Sequence, residues 1–215
     1  GGTVTLPEGS AGTDVSSEPE IPPAPPQDEE PSAEPTPFVI SFLGDCTLTS
    51  SHHTSHFEKL VGDDYAYPFS NVAELLLADE LTLANLECSF SPRRLESDSE
   101  YAFCGDPNYV QALVLGSVEA VTLSNNHTRD FGDAGLRDTE AALAEYGVAG
   151  IPGNQGQCFE LRHDNGDTLR LGAYVHPFNG SAKQMEDGCK RLRDEGADIL
   201  VAFMHAGAEK TYIPT

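Results

Sequence analysis

Apolar positions between Phe38 and Met204 fall into short continuous runs separated by stretches of helical spacing. Phe38–Leu43 (FVISFL) is nearly all apolar, rich in β-formers and closed by Gly44-Asp45, the pattern of a buried strand and its turn. Ser70 is placed to cap a helix through Leu77, with Val72, Leu75 and Leu76 on one face. Leu81–Leu86 (LTLANL) reads as the second strand. Asp106 as cap and Pro107 at the first helical position open a helix that ends near Gly116. Val118–Leu123 is the third strand, and from Asp133 the spacing of Leu136, Ala141, Leu143 and Tyr146 predicts a helix stopped by Gly147. Cys158–Arg162 and Thr168–Val175 flank Asp164-Asn165-Gly166-Asp167 and read as a hairpin. Ser181 caps a helix to about Glu195, and Ile199–Met204 (ILVAFM) is a last buried strand. Strands alternating with helices, with one hairpin among them, predict an α/β fold whose sheet runs in mixed directions. No internal repeat is present.

Composition divides the chain at Pro37. Residues 1–37 hold nine of the fifteen prolines and eight acidic residues, with no basic and no aromatic residue. A segment of that kind cannot bury enough apolar surface to offset its ordering entropy, so a disordered acidic linker is expected there. Residues 38–215 carry every Phe, Tyr, His and Cys, enough for one domain with a real core. The formal net charge of -23 argues against nucleic acid, whose phosphates demand a basic footprint. No apolar run approaches the roughly 20 residues of a membrane span, so no transmembrane segment is expected. A Pro/Glu/Ser-rich stalk ahead of a compact domain suits an extracellular or cell-envelope protein, anchored through a segment before Gly1. The five cysteines are an odd number without a C-x-x-C, which excludes a disulfide framework and a zinc knuckle.

The residues just past the buried strands carry the candidate chemistry. The first strand leads into Gly44-Asp45, the second into Asn85-Leu86-Glu87, the third into Asn125-Asn126-His127, the last into His205-Ala206-Gly207. In open α/β sheets ligands collect at the carboxyl ends of strands. Carboxylate, amide and imidazole groups are hard-to-borderline donors that suit Mn, Zn, Fe or Mg rather than copper.

The segments Phe42–Leu48, Leu83–Glu87, Phe103–Val110 and Gly116–Val121, the last running into Ser124-Asn125-Asn126-His127 and Asp130-Phe131-Gly132, resemble the CapA family. These are poly-γ-glutamate capsule synthesis proteins within the calcineurin-like metallophosphatase superfamily, and the resemblance spans residues 38–215. It implies a metallophosphatase-like α/β/β/α sandwich with mixed sheets and a divalent metal at the strand ends. By resemblance, Asp45, Glu87, Asn126 and His205 are metal ligands, and His127 is the catalytic proton donor. Asn85, Asn125 and Arg129 are substrate-binding candidates. The resemblance also implies a metal-dependent hydrolase acting on a phosphoester or envelope polymer, with other capsule-synthesis proteins as further partners. The alternative is a non-catalytic protein of polymer binding, export or assembly, and the acidic surface suits a neutral or small phosphorylated substrate better than a polyanion.

Three departures from the family pattern bear on that site. Thr47 stands where the superfamily's first motif has a histidine, Ala206 stands where the family's H-W-G motif has tryptophan, and Thr215 precedes the family's G-H-H-P-H segment. The resemblance therefore implies a domain cut short at its C-terminus, with an incomplete metal shell. His52, His53 and His56 are expected in a solvated loop, and His176 ends a strand near the site. Cys46 and Cys88 adjoin proposed ligands and read as small buried residues.

Overall fold

The computed structural model describes residues 36–207 apart from positions 52, 94, 95, 98 and 100. The linker expected over residues 1–37 thus lies, up to residue 35, outside the described residues, as does His52.

Two sheets form the centre. The first is all parallel, in the order β1 (Ile40–Cys46), β2 (Leu81–Leu86), β5 (Ala120–Leu123), β6 (Ala149–Pro152). A two-stranded parallel ladder joins β3 (Ser89–Phe90) to β4 (Cys104–Gly105). The second sheet pairs β7 (Gln155–Arg162) antiparallel with β8 (Thr168–Val175), and β8 parallel with β9 (Ile199–Phe203). Mixed direction is therefore confined to the second sheet. The helices are α1 (His56–Val61), α2 (Ala73–Leu76), α3 (Val110–Leu115), α4 (Gly132–Glu145) and α5 (Ala182–Asp194).

Three apolar clusters show how these elements stack. Leu81, Leu83, Ala120 and Ile151 of the first sheet meet Leu161, Leu171, Ala173 and Val175 of the second, forming the seam between the sheets. The alternate residues Ala84, Leu86, Val121 and Leu123 face outward onto Val110, Leu113, Ala142 and Leu143 of α3 and α4. Tyr174 of β8 packs on Leu192 of α5, covering the far side of the second sheet. The result is the layered order helix, sheet, sheet, helix of a metallophosphatase-like α/β fold, each strand splitting its side chains between two cores by its period of two.

Local signals account for several boundaries. Ser181 accepts from the Gln184 amide while the Gln184 side chain caps Ser181 in return, a capping box that starts α5. Asp106 accepts from the Asn108 amide ahead of Pro107, opening a 3-10 turn that runs into α3. Gly147 lies at φ 75° just after α4, in the left-handed region that glycine enters without a Cβ clash.

Elsewhere tertiary packing overrides the local pattern. Ser70 closes a 3-10 turn, its hydroxyl donating back to the Tyr67 carbonyl, and α2 starts only at Ala73. Leu76 alone of the expected face is buried, while Val72 and Leu75 are exposed. On α4 it is Ala142, not Ala141, that enters the core beside Leu143. The last strand is only partly buried: Ile199 and Met204 are exposed, because β9 has a partner on one side among the described residues. His56 opens α1 rather than lying in a loop.

Candidate metal centre

The carboxyl ends of β1, β2 and β5 lie side by side in the first sheet, and β9 of the second sheet ends near them. An irregularity in β1 decides what Asp45 does there. The register runs from Phe42 opposite Leu83 to Asp45 opposite Asn85, so β1 spends three steps where β2 spends two. One extra residue turns every later side chain to the other face. Asp45 consequently shares the face of Leu83 and Asn85 toward the seam, while Cys46, opposite Leu86, packs with the helix-side core. Without the bulge, Asp45 would face the helices. Glu87 comes directly after β2, its amide held by the Cys46 carbonyl at 3.0 Å. His205 lies two residues past β9, on the same parity as Val201 and Phe203, which line the seam.

These placements bring one donor atom each of Asp45, Glu87 and His205 within 4.8 Å of one another. His205 Nδ1 is 3.3 Å from Asp45 Oδ1, and its Nε2 is 3.6 Å from Glu87 Oε1. Burial and the neighbouring Asp45 carboxylate push the Glu87 carboxyl above its ordinary value, against the opposing pull of His205 and His127. Among the described residues the ion-pair partners of these two acids are histidines, with no Lys or Arg. Two crowded carboxylates and an imidazole, with no fixed cation between them, are a donor set that fits a divalent ion.

His127 faces the cluster from β5's side, with Nε2 4.0 Å from Glu87 Oε1. Its other nitrogen, Nδ1, lies 2.9 Å from Asp130 Oδ2, which also accepts the Phe103 amide at 3.0 Å. The Phe103 ring packs against the imidazole in a T-shaped contact, the two centroids 4.8 Å apart. Asp130 is a residue that strand-end reasoning passed over; its signal was the i, i+3 spacing from His127 within one turn.

The two adjacent asparagines part company. Asn125 is buried, and its amide nitrogen donates to Leu86 O at 2.8 Å and Asn85 Oδ1 at 3.0 Å. Its oxygen accepts the His127 amide at 2.9 Å and the Thr128 hydroxyl at 3.1 Å. Asn85 is similarly committed, to Asp45, His205, Thr122 and Asn125, so neither side chain has hydrogen-bonding capacity left for a substrate. Asn126 is exposed and lines a neighbouring cleft of about 410 Å³. Thr128, Arg129, Pro177 and Phe178 also line that cleft, and the Phe178 ring lies 6.1 Å from His205, linking it to the cluster. Arg129 is exposed and paired with Asp133 one helical turn on. His176 is buried at the end of β8, its backbone oxygen accepting the Ser124 hydroxyl at 2.9 Å.

Cys46 and Cys88 stay out of the chemistry. Cys88 is buried and Cys46 partly so, both in the helix-side core, and burial pushes the Cys46 thiol up to about 11 and the Cys88 thiol higher still. Thiols in that state are protonated at neutral pH and make poor ligands.

A metallophosphatase-like α/β fold with a possible Asp/Glu/His cation site at its strand ends defines the class. The chain belongs to the bacterial capsule synthesis protein family PGA_cap, whose family model matches residues 39–215. Among curated proteins none matches the chain. The family associates the chain with capsule synthesis at the cell envelope. No helix among the described residues is long and apolar enough to cross a membrane.

Proposed function

We propose that this capsule-synthesis protein is a metal-dependent hydrolase that cleaves a phosphoester or a bond of an envelope polymer such as poly-γ-glutamate. The observation that carries the reading is the convergence of Asp45, Glu87 and His205 within 4.8 Å, with His127 Nε2 turned toward the same point. A divalent cation held there, Mn, Zn, Fe or Mg, supplies a water acidified toward neutrality and polarises the substrate oxygen. The protein's own groups do the rest. Asp45, Glu87 and His205 hold the cation. Exposed Asn126, next to His127 in the chain, adds its amide oxygen as a further ligand. His127 gives a proton to the departing oxygen or nitrogen from Nε2, because Asp130 keeps Nδ1 engaged. The cleft lined by Asn126, Arg129 and Phe178 takes the part of the substrate that does not react.

The test is hydrolysis of bis-p-nitrophenyl phosphate by protein loaded with Mn²⁺ or Zn²⁺, beside its metal content after purification. Turnover that disappears with EDTA and in Asp45→Ala and His127→Ala is expected. Stoichiometric binding with no turnover of phosphodiester or γ-glutamyl amide would instead support a polymer-binding or assembly role.

A further inference from the structure

The side chain of Asn85 sits beneath the proposed cation site, only 8% exposed, and its orientation is set through Asn125, which backbone groups hold. Asn125 is fixed first. The Leu86 carbonyl accepts from one end of its amide and the His127 N–H donates to the other, so Nδ2 and Oδ1 cannot be exchanged. The Asn125 nitrogen must therefore donate to its other neighbour, which makes the Asn85 atom facing it the oxygen. The Thr122 hydroxyl donates to that same oxygen at 2.8 Å. The Asn85 NH₂ is left pointing the opposite way, 2.7 Å from Asp45 Oδ1 and 3.2 Å from His205 Nδ1.

We infer that Asn85 is a positioning residue: its locked amide holds the Asp45 carboxylate in place for the cation and is not itself a cation ligand. The inference rests on the proposed cation site and adds to it how that site is built. Asp45 is half exposed, on the edge strand of the first sheet among the described residues, and lies beside the Glu87 carboxylate. Repulsion would swing such a carboxylate toward water. The Asn85 donor opposes that swing. Its oxygen, saturated by Thr122 and Asn125, has no lone pair to offer an ion. A hydrogen-bonded partner that orients ligands without touching the metal is typically worth roughly 10- to 100-fold in metal affinity.

Mn²⁺ titration of the full chain, by calorimetry or by the free-ion paramagnetic signal, tests this. Asn85→Ala should weaken binding about 10- to 100-fold, and the Co²⁺-saturated protein should keep the wild-type visible spectrum because the ligand set is unchanged. In an Asp45→Ala background the further change Asn85→Ala should cost little, since its target is already gone. Unchanged Mn²⁺ affinity in Asn85→Ala overturns the inference, as do additive losses or an altered Co²⁺ spectrum, which would make Asn85 a ligand. Should Asn85→Ala fail to fold, Thr122→Val serves in its place. It touches no site atom yet loosens the amide, and it should weaken Mn²⁺ binding by roughly several-fold with the same spectrum; an unchanged affinity there also overturns the inference. Mn²⁺ binding that survives Asp45→Ala intact would remove the cation-site reading itself, an outcome distinct from failure at Asn85 alone.

Discussion

Asp130 offers the sharpest separation between holding the fold and serving the chemistry. One oxygen, Oδ2, accepts both the His127 Nδ1 proton at 2.9 Å and the Phe103 amide at 3.0 Å. The side chain is only 9% exposed, so water is a poor substitute acceptor. Asp130→Ala leaves two donors without partners, each costing about 1–3 kcal/mol, for a total of about 2–6 kcal/mol. That is a large share of a typical domain stability of about 5–15 kcal/mol. Asp130→Asn is different, because its amide oxygen can take the place of Oδ2 and accept from both groups. What it loses is charge, and a charge-assisted bond is about twice as strong as a neutral one, so about 1 kcal/mol is expected. Urea unfolding followed by circular dichroism, suited to a chain without Trp, should therefore rank wild type above Asn above Ala. Hydrolysis should fall in both variants, within the roughly 10²–10⁴-fold that a positioned acid contributes. Mn²⁺ affinity should stay nearly unchanged, since Asp130 touches none of Asp45, Glu87 or His205. A wild-type unfolding midpoint in Asp130→Ala would refute the hydrogen-bond account. Loss of Mn²⁺ binding in Asp130→Asn would refute the division of labour.

Mn²⁺ at about 100 times its dissociation constant should stabilise the protein by about 2.7 kcal/mol, reversibly with EDTA, and Glu87→Gln should abolish that gain. Without metal, Glu87→Gln should itself raise stability at neutral pH. A carboxyl pushed upward in the folded state favours folding in acid and loses that contribution as pH rises through its raised value. Glu58 behaves with the opposite sign. Burial pushes it up, but hydrogen bonds from Ser50 and Thr49 outweigh this, and Arg93 and Ser91 hold Asp138 below its ordinary value as well. Their contributions are present above the unfolded carboxyl values and lost as pH falls through the lowered ones, so the melting temperature should drop below about pH 4.5 and do so less in Glu58→Gln. Gly188→Ala drives a Cβ into the ring of Tyr174, whose hydroxyl donates to the Gln184 carbonyl at 2.8 Å. Displacing that ring should cost about 1–3 kcal/mol or more by overpacking, and a urea midpoint equal to wild type would show that α5 shifts freely.

How far the chain alone could be read divides by the range of the interaction that decides each feature. Leu81–Leu86, the Asp164–Asp167 hairpin and the Ser181 cap are written in neighbouring residues, and the structure has them where the pattern puts them. β6 is four residues ending on a proline, too short and too poorly patterned to stand out until β5 pairs with it. Ser70 carries a good capping side chain, yet Phe69 beneath it is pulled into the core and turns the hydroxyl back on its own segment. At the strand ends, residue type pointed to a wider set, Asp45, Glu87, Asn126, His127 and His205; the resemblance made all of these but His127 ligands, and the structure brings Asp45, Glu87 and His205 within 4.8 Å of one another. Which face each presents is a matter of parity, and parity cannot be counted across an unseen bulge: the extra step between Phe42 and Asp45 is visible only once β2 lies alongside. The same holds for Asn125 and Asn126, identical in type and adjacent in sequence. The inward one is selected by a carbonyl on β2 and an amide two residues on, neither of which has any sequence signature. A composition of ligands is thus a local property of this chain, whereas a coordination geometry is made by two sheets meeting, and Asn85 stands where they meet.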